Sequence, residues 1–218
     1  MDEIILINKP SAMTSFGVVA RVRRILSQRQ GKKVKVGHTG TLDPFATGLM
    51  IVLTGKRCRE ASTFSKLDKV YEAEIILGKI SSTGDPEGEI TEGALQKPSR
   101  EDVDRVVGDF VGEIWQTPPI YSAIKIKGER AYKLARKGEQ VEMPKRQVTI
   151  YSLEVIDYQY PSLEIRAHVS SGTYIRTLAE DIGKSLEVGA HCRQLRRTKV
   201  GSYSIEQAKT LDSLGIYS

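Results

Sequence analysis

Residues of catalytic type crowd into one stretch, Gly37-His38-Thr39-Gly40-Thr41-Leu42-Asp43-Pro44-Phe45-Ala46-Thr47-Gly48, which holds three glycines, three threonines, a histidine and a single carboxylate. Pro44 keeps the residue before it in extended or turn geometry, so Asp43 is expected outside any helix interior. An ordinary aspartate, with a pKa of roughly 3.9, is ionised at neutral pH and can serve as a nucleophile. Glycines let the backbone bend sharply and a ligand approach closely. On residue types alone the favoured reading is an ordinary strand-loop-strand connection in which Asp43 and the threonines bond their own backbone, since most Asp-Pro pairs are only turns.

The flanking elements must position that acid. A basic, β-like segment (Lys32-Lys33-Val34-Lys35-Val36) precedes it, and the apolar run Leu49-Met50-Ile51-Val52-Leu53 follows, reading as a strand buried on both faces. Upstream, a strand over residues 3–8 stops at Lys9-Pro10. A helix capped by Thr14 or Ser15 follows, with Val18, Val22, Ile25 and Leu26 on one face and Gly31 at its end. Downstream, residues 69–77 alternate, placing Tyr71, Ala73, Ile75 and Leu77 on one side. Ser82 to Gly88 is turn material, and Ser99 with Asp102 forms a capping box for a helix facing inward through Val103, Val106, Val107 and Phe110. Strands are expected over 113–116, 121–127, 147–159 and 163–169, with a short helix near 130–137 ended by Gly138. Ser171-Gly172-Thr173 leads into a last helix carrying Ile175, Leu178, Ile182 and Leu186 on one side. Hairpins and helices mix without strict alternation, which predicts a mixed α/β fold with a largely antiparallel sheet.

The 218 residues carry a formal charge of +6, compatible with a polyanionic partner. The distribution is more informative. Arg21, Arg23, Arg24, Arg29, Lys32, Lys33 and Lys35 fall within fifteen residues, and Arg193, Arg196, Arg197 and Lys199 within seven, as a phosphate-tracking surface requires. Cys58 and Cys192 lack metal-type spacing and read as small reduced hydrophobes. Neither a membrane-length apolar run nor a leader pattern is found, so a cytoplasmic chain is expected. Gly55-Lys56 and Gly183-Lys184-Ser185 miss the spacing of a nucleotide-binding loop.

The stretch Gly37 to Leu49 resembles the catalytic signature of the TruB family of tRNA pseudouridine synthases. Further segments agree in the same order: Asn8-Lys9-Pro10, Lys69-Val70-Tyr71, Thr117-Pro118-Pro119-Ile120-Tyr121-Ser122-Ala123-Ile124-Lys125, Ser171-Gly172-Thr173-Tyr174-Ile175-Arg176-Thr177 and Leu195-Arg196-Arg197. The resemblance implies the pseudouridine synthase fold, a central, largely antiparallel sheet flanked by helices, and isomerisation of the T-loop uridine of tRNA after base flipping. It implies Asp43 as nucleophile, Tyr71 as stacking and proton-handling group, and Arg176 as the planar partner of the catalytic carboxylate. His38 is implied to stack where the base departed, Tyr174 and Leu195 to line the uracil pocket, and Lys9 to have a structural or RNA-facing role. No cofactor or metal is expected, and the partner is the T arm and T loop of tRNA, bound by a monomer. Residues 1–218 are expected to form one catalytic domain without the C-terminal RNA-binding (PUA) domain of familiar bacterial members. Two other classes compete: an RNA-binding, tRNA-folding module in which catalysis is secondary, and an aspartate-nucleophile hydrolase. The hydrolase wants a second carboxylate or a metal cluster near Asp43, and none stands out in sequence.

Overall fold

A computed structural model describes residues 2–122, 124–126, 128–137 and 141–215. In chain order its elements are β1 (Ile4–Lys9), α1 (Ser15–Gln30), β2 (Val36–His38), β3 (Thr47–Thr54), α2 (Ala61–Ser65), β4 (Lys69–Leu77), β5 (Lys79–Ser81), β6 (Ile90–Glu92), α3 (Arg100–Asp109) and β7 (Gly112–Gln116). Then come β8 (Lys125–Ile126), β9 (Glu129–Arg130), α4 (Ala131–Arg136), β10 (Arg146–Gln159), β11 (Ser162–Val169), α5 (Ile175–Ser185), β12 (Ala190–Val200) and β13 (Tyr203–Ser204). The chain divides into two compact units, 1–72 with 195–218, and 73–194, and β4 and β12 run from one into the other.

In the first unit β3 is central. It pairs antiparallel with β1 along its length and with β2 at its far end, and parallel with β12 through Arg196 to Thr47 and Arg197 to Gly48. Successive strand residues point to opposite faces, so β3 feeds two cores. Met50 and Val52 pack with Val18, Val19, Val22 and Leu26 of α1, while Leu49, Ile51 and Leu53 pack with Phe64 and Val200. Helix α1 begins where Thr14 Oγ1 accepts from Gly17 N at 2.9 Å, and ends at Gly31 in the left-handed region (φ 63°).

The second unit orders its strands β4, β11, β10 and β7, with β10 antiparallel to both neighbours. Ser99 opens α3 as its N-cap, accepting from Asp102 N, and its hydroxyl also donates to the Asp102 carboxylate at 2.8 Å. Helix α5 turns Ile175, Leu178 and Ile182 inward.

The mixed, mainly antiparallel pattern expected from sequence is therefore observed. Several segments differ, among them the short β5, β6, β9, β13 and α2, which the sequence reading did not foresee. Of the strand expected over 121–127 only Lys125–Ile126 is extended, with Ala123 and Lys127 outside the described residues, as is Gly138 after α4. Strand β12 was not foreseen, because Arg197 occupies an inward position between Leu195 and Val200 and breaks the apolar alternation that marks a strand.

Candidate active site

The loop between β2 and β3 carries Asp43, and its backbone is held at nearly every step by side chains from elsewhere in the first unit. Arg197, 2% exposed, donates from Nη2 to Gly40 O (3.2 Å), from Nη1 to Thr41 O (3.5 Å) and from Nε to Leu49 O (2.8 Å). Ser15 Oγ accepts from Leu42 N (2.8 Å) and donates to Leu42 O (2.9 Å). Lys9, wholly buried, donates from Nζ to Pro44 O (3.1 Å), Met13 O (2.5 Å) and Pro10 O (2.8 Å), and Ser11 Oγ donates to Phe45 O (3.1 Å). Asp43 O closes a tight turn by accepting from Ala46 N at 3.2 Å. Two buried cations and two hydroxyls thus fix the loop, and its one carboxylate, half-buried, is set in a rigid frame.

Gly48 completes the frame at the start of β3. Its φ of +106° lies where side chains are strained, and a Cβ there would fall on the backbone of Arg197. The glycine lets β12 come close enough to β3 for Arg197 to reach the loop carbonyls.

Tyr71 is buried on the alternating face of β4, and His38 ends β2 opposite Val52. Two residues before Tyr71, Lys69 donates to Ser65 O at 2.7 Å and to Leu67 O. Burial first, and then the neighbouring Arg197 charge, lower its pKa from the ordinary 10.5 to about 8 against an opposing pull from Asp68. Leu195 is buried on β12, beside the exposed Arg196.

The second unit holds Arg176 one residue into α5, 3% exposed. Its Nη1 meets Asp85 Oδ2 at 2.9 Å and donates to Thr83 O at 2.9 Å, while Nη2 donates to Tyr121 O at 2.9 Å. Asp85 is itself nearly enclosed, accepting from Thr83 Oγ1 (2.6 Å) and Glu87 N (3.0 Å). Gly84 lies between them at φ +73°, in the left-handed region where a side chain is strained. Burial pushes the Glu180 carboxyl above its ordinary range. Tyr174 is clamped by Gln116, which accepts from Tyr174 N (3.0 Å) and donates to Tyr174 O (3.3 Å), and the Arg146 guanidinium lies 4.8 Å from its ring centroid.

Sequence reasoning assigned Arg197 to a phosphate-tracking stretch. The structure corrects this, because its hydrogen-bonded nitrogens serve backbone carbonyls inside the protein, two in the Asp43 loop and one in β3. It also missed Asp85, Ser15 and Lys69; the Lys-Val-Tyr motif carried Lys69 in plain view, while Ser82 to Gly88 read only as a turn. Among the described residues no group of three or more His, Cys, Asp or Glu side chains is placed to hold a metal ion, and no helix is long and apolar enough to cross a membrane.

Comparison with known proteins identifies the family. The model of the TruB family pseudouridylate synthase N-terminal domain matches residues 23–175, and that of the tRNA pseudouridylate synthase B C-terminal domain matches 176–217. The chain is 41% identical to tRNA pseudouridine synthase B of Opitutus terrae over 98% of its own length and 87% of that protein's. It is 44% identical to the protein of that name from Parabacteroides distasonis, over 97% and 91%. Among solved structures it resembles a chain of a Cbf5-Nop10-Gar1 complex with a TM-score of 0.75 and 31% identity, over 97% of this chain and about half (53%) of the other. A chain with these motifs in this order, matched by both family models from residue 23 to 217, belongs to the TruB family of pseudouridine synthases.

Proposed function

We propose that this pseudouridine synthase acts on the T-loop uridine of tRNA, with Asp43 as its nucleophile. The names of its relatives, tRNA pseudouridine synthase B, support the substrate class. Extruding a stacked uridine costs about a few kcal/mol. Phosphate contacts by the exposed Arg24, Arg29, Lys32, Lys33 and Lys35 and stacking by His38 offset that cost.

The isomerisation breaks the N1–C1′ bond, turns the freed uracil and joins C5 to C1′, with the C5 proton passing to solvent. The Asp43 carboxylate attacks the nucleotide or stabilises the electron-poor sugar as the base leaves. Tyr71 offers the uracil a ring face to stack on and a hydroxyl to move a proton. The family resemblance assigns Arg176 the part of orienting the catalytic carboxylate, and within the second unit Asp85 fixes the plane of its guanidinium. Tyr174 and Leu195 line the uracil pocket. Lys9 acts as a strut of the Asp43 loop.

The observation that carries this reading is the loop itself: a single acid in a backbone pinned by Arg197, Ser15, Lys9 and Ser11, which is what a near-attack geometry demands. The test is incubation with unmodified tRNA whose uridines carry tritium at C5. Label leaving the T loop alone is the expected result. Release from another loop, or none, would overturn the assignment.

A further inference from the structure

At the end of β2 away from the Asp43 loop, the first unit has an open surface cavity of about 300 Å³ whose walls carry Lys32, Lys33, Lys35, Lys56, Arg59 and Asp2. Gly55 N donates to Lys35 O at 2.8 Å and ties the two basic walls together. The one carboxylate is already engaged, Asp2 Oδ1 accepting from Lys56 N at 2.6 Å. All five cationic side chains are exposed, and among the described residues none is paired with a carboxylate, although Arg57 beside them is held by Glu60 at 3.3 Å.

Five unpaired positive charges around one concavity repel one another in the free chain, and an anion with several acceptor oxygens relieves that repulsion. Lysine ammonium groups, as compact point charges with rotatable donors, suit phosphate oxygens presented at varied angles. The place of the cavity selects the source of the phosphate. From Lys35 to His38 the chain runs three strand residues, ~10 Å, directly into the catalytic loop.

Resting on the reading of the substrate as tRNA, we infer that this cavity seats backbone phosphates of the same RNA whose uridine reaches Asp43. It is a second anchor that holds the strand while the base is extruded. It contributes affinity and register, and takes no part in bond making.

The test compares the intact chain with the triple variant Lys33→Gln, Lys56→Gln, Arg59→Gln, with Lys56→Glu alone, and with the charge-keeping Lys33→Arg, Lys56→Arg. Equilibrium binding of a full-length tRNA transcript is measured across a salt series, alongside KM and kcat for label release. The triple variant is expected to bind about tenfold more weakly near physiological salt, and to raise KM while kcat stays within about twofold. The slope of log affinity against log salt should shrink by about 2. Lys56→Glu moves the same way, and the arginine variant matches the intact chain. Unchanged affinity and slope in the glutamine variant, equal loss in the arginine variant, or equal competition by polyglutamate of matched charge would each overturn the inference. An intact chain that binds tRNA through the cavity yet releases no label leaves the anchor standing and refutes the proposed reaction instead.

Discussion

The Arg176 guanidinium and the Asp85 carboxylate meet at 2.9 Å with both side chains almost removed from water, 3% and 6% exposed. Breaking such a buried pair on one side costs about 3–5 kcal/mol because an uncompensated charge remains. Asp85→Asn keeps the shape and removes the charge. It should lower the unfolding free energy by a few kcal/mol and kcat by on the order of tenfold or more, with tRNA affinity nearly unchanged. Denaturant titration and single-turnover kinetics check both effects.

Arg197 makes a comparable prediction for the Asp43 loop. Lysine in its place cannot reach the carbonyls of Gly40, Thr41 and Leu49 at once, so the loop loses part of its frame. A displacement of about 1 Å near the reacting atoms can cost 10²-fold in rate. Arg197→Lys should therefore lower kcat by roughly that factor while KM changes little. A KM effect alone would point to RNA contact instead.

Lys69 gives the protein a signature in alkaline solution. Its pKa is about 8 when folded against the ordinary 10.5, so burial penalises the charged form and the unfolded chain binds more protons between those values. This group's penalty is present in full below pH 8 and is relieved as pH rises from about 8 to about 10.5. Lys69→Met should remove that rising contribution, seen as a flatter dependence of unfolding free energy on pH across the same window.

Gly48→Ala tests the contact between β3 and β12. The positive φ alone costs of order 1–3 kcal/mol, and the clash with Arg197 backbone adds to it. A marked fall in the thermal midpoint is expected, with loss of activity in the folded fraction.

How much of this was legible in the sequence follows from the range of each interaction. Helix α1 and strand β3 could be read because caps, apolar spacing and a bounding glycine are local properties. The struts could not. Lys9 reaches Pro44 across 35 positions and Arg197 reaches Gly40 across 157, and nothing beside either residue distinguishes a buried donor from a solvated charge. Asp85 was hidden for the same reason, its arginine lying 91 positions away while its own surroundings spell a turn. Asp43 and Tyr71 stood out through motif resemblance, since an Asp-Pro pair or a strand tyrosine taken alone is ordinary.

The nucleophile is the centre of the account, and Asp43→Asn tests it most directly. With C5-tritiated tRNA and enzyme in excess, the variant should bind the RNA within a few-fold of the intact chain and release no label above background over many half-lives of the intact reaction. That outcome also separates catalysis from an RNA-folding role, which would survive the change. Label release by the variant at a substantial fraction of the intact rate would contradict the account.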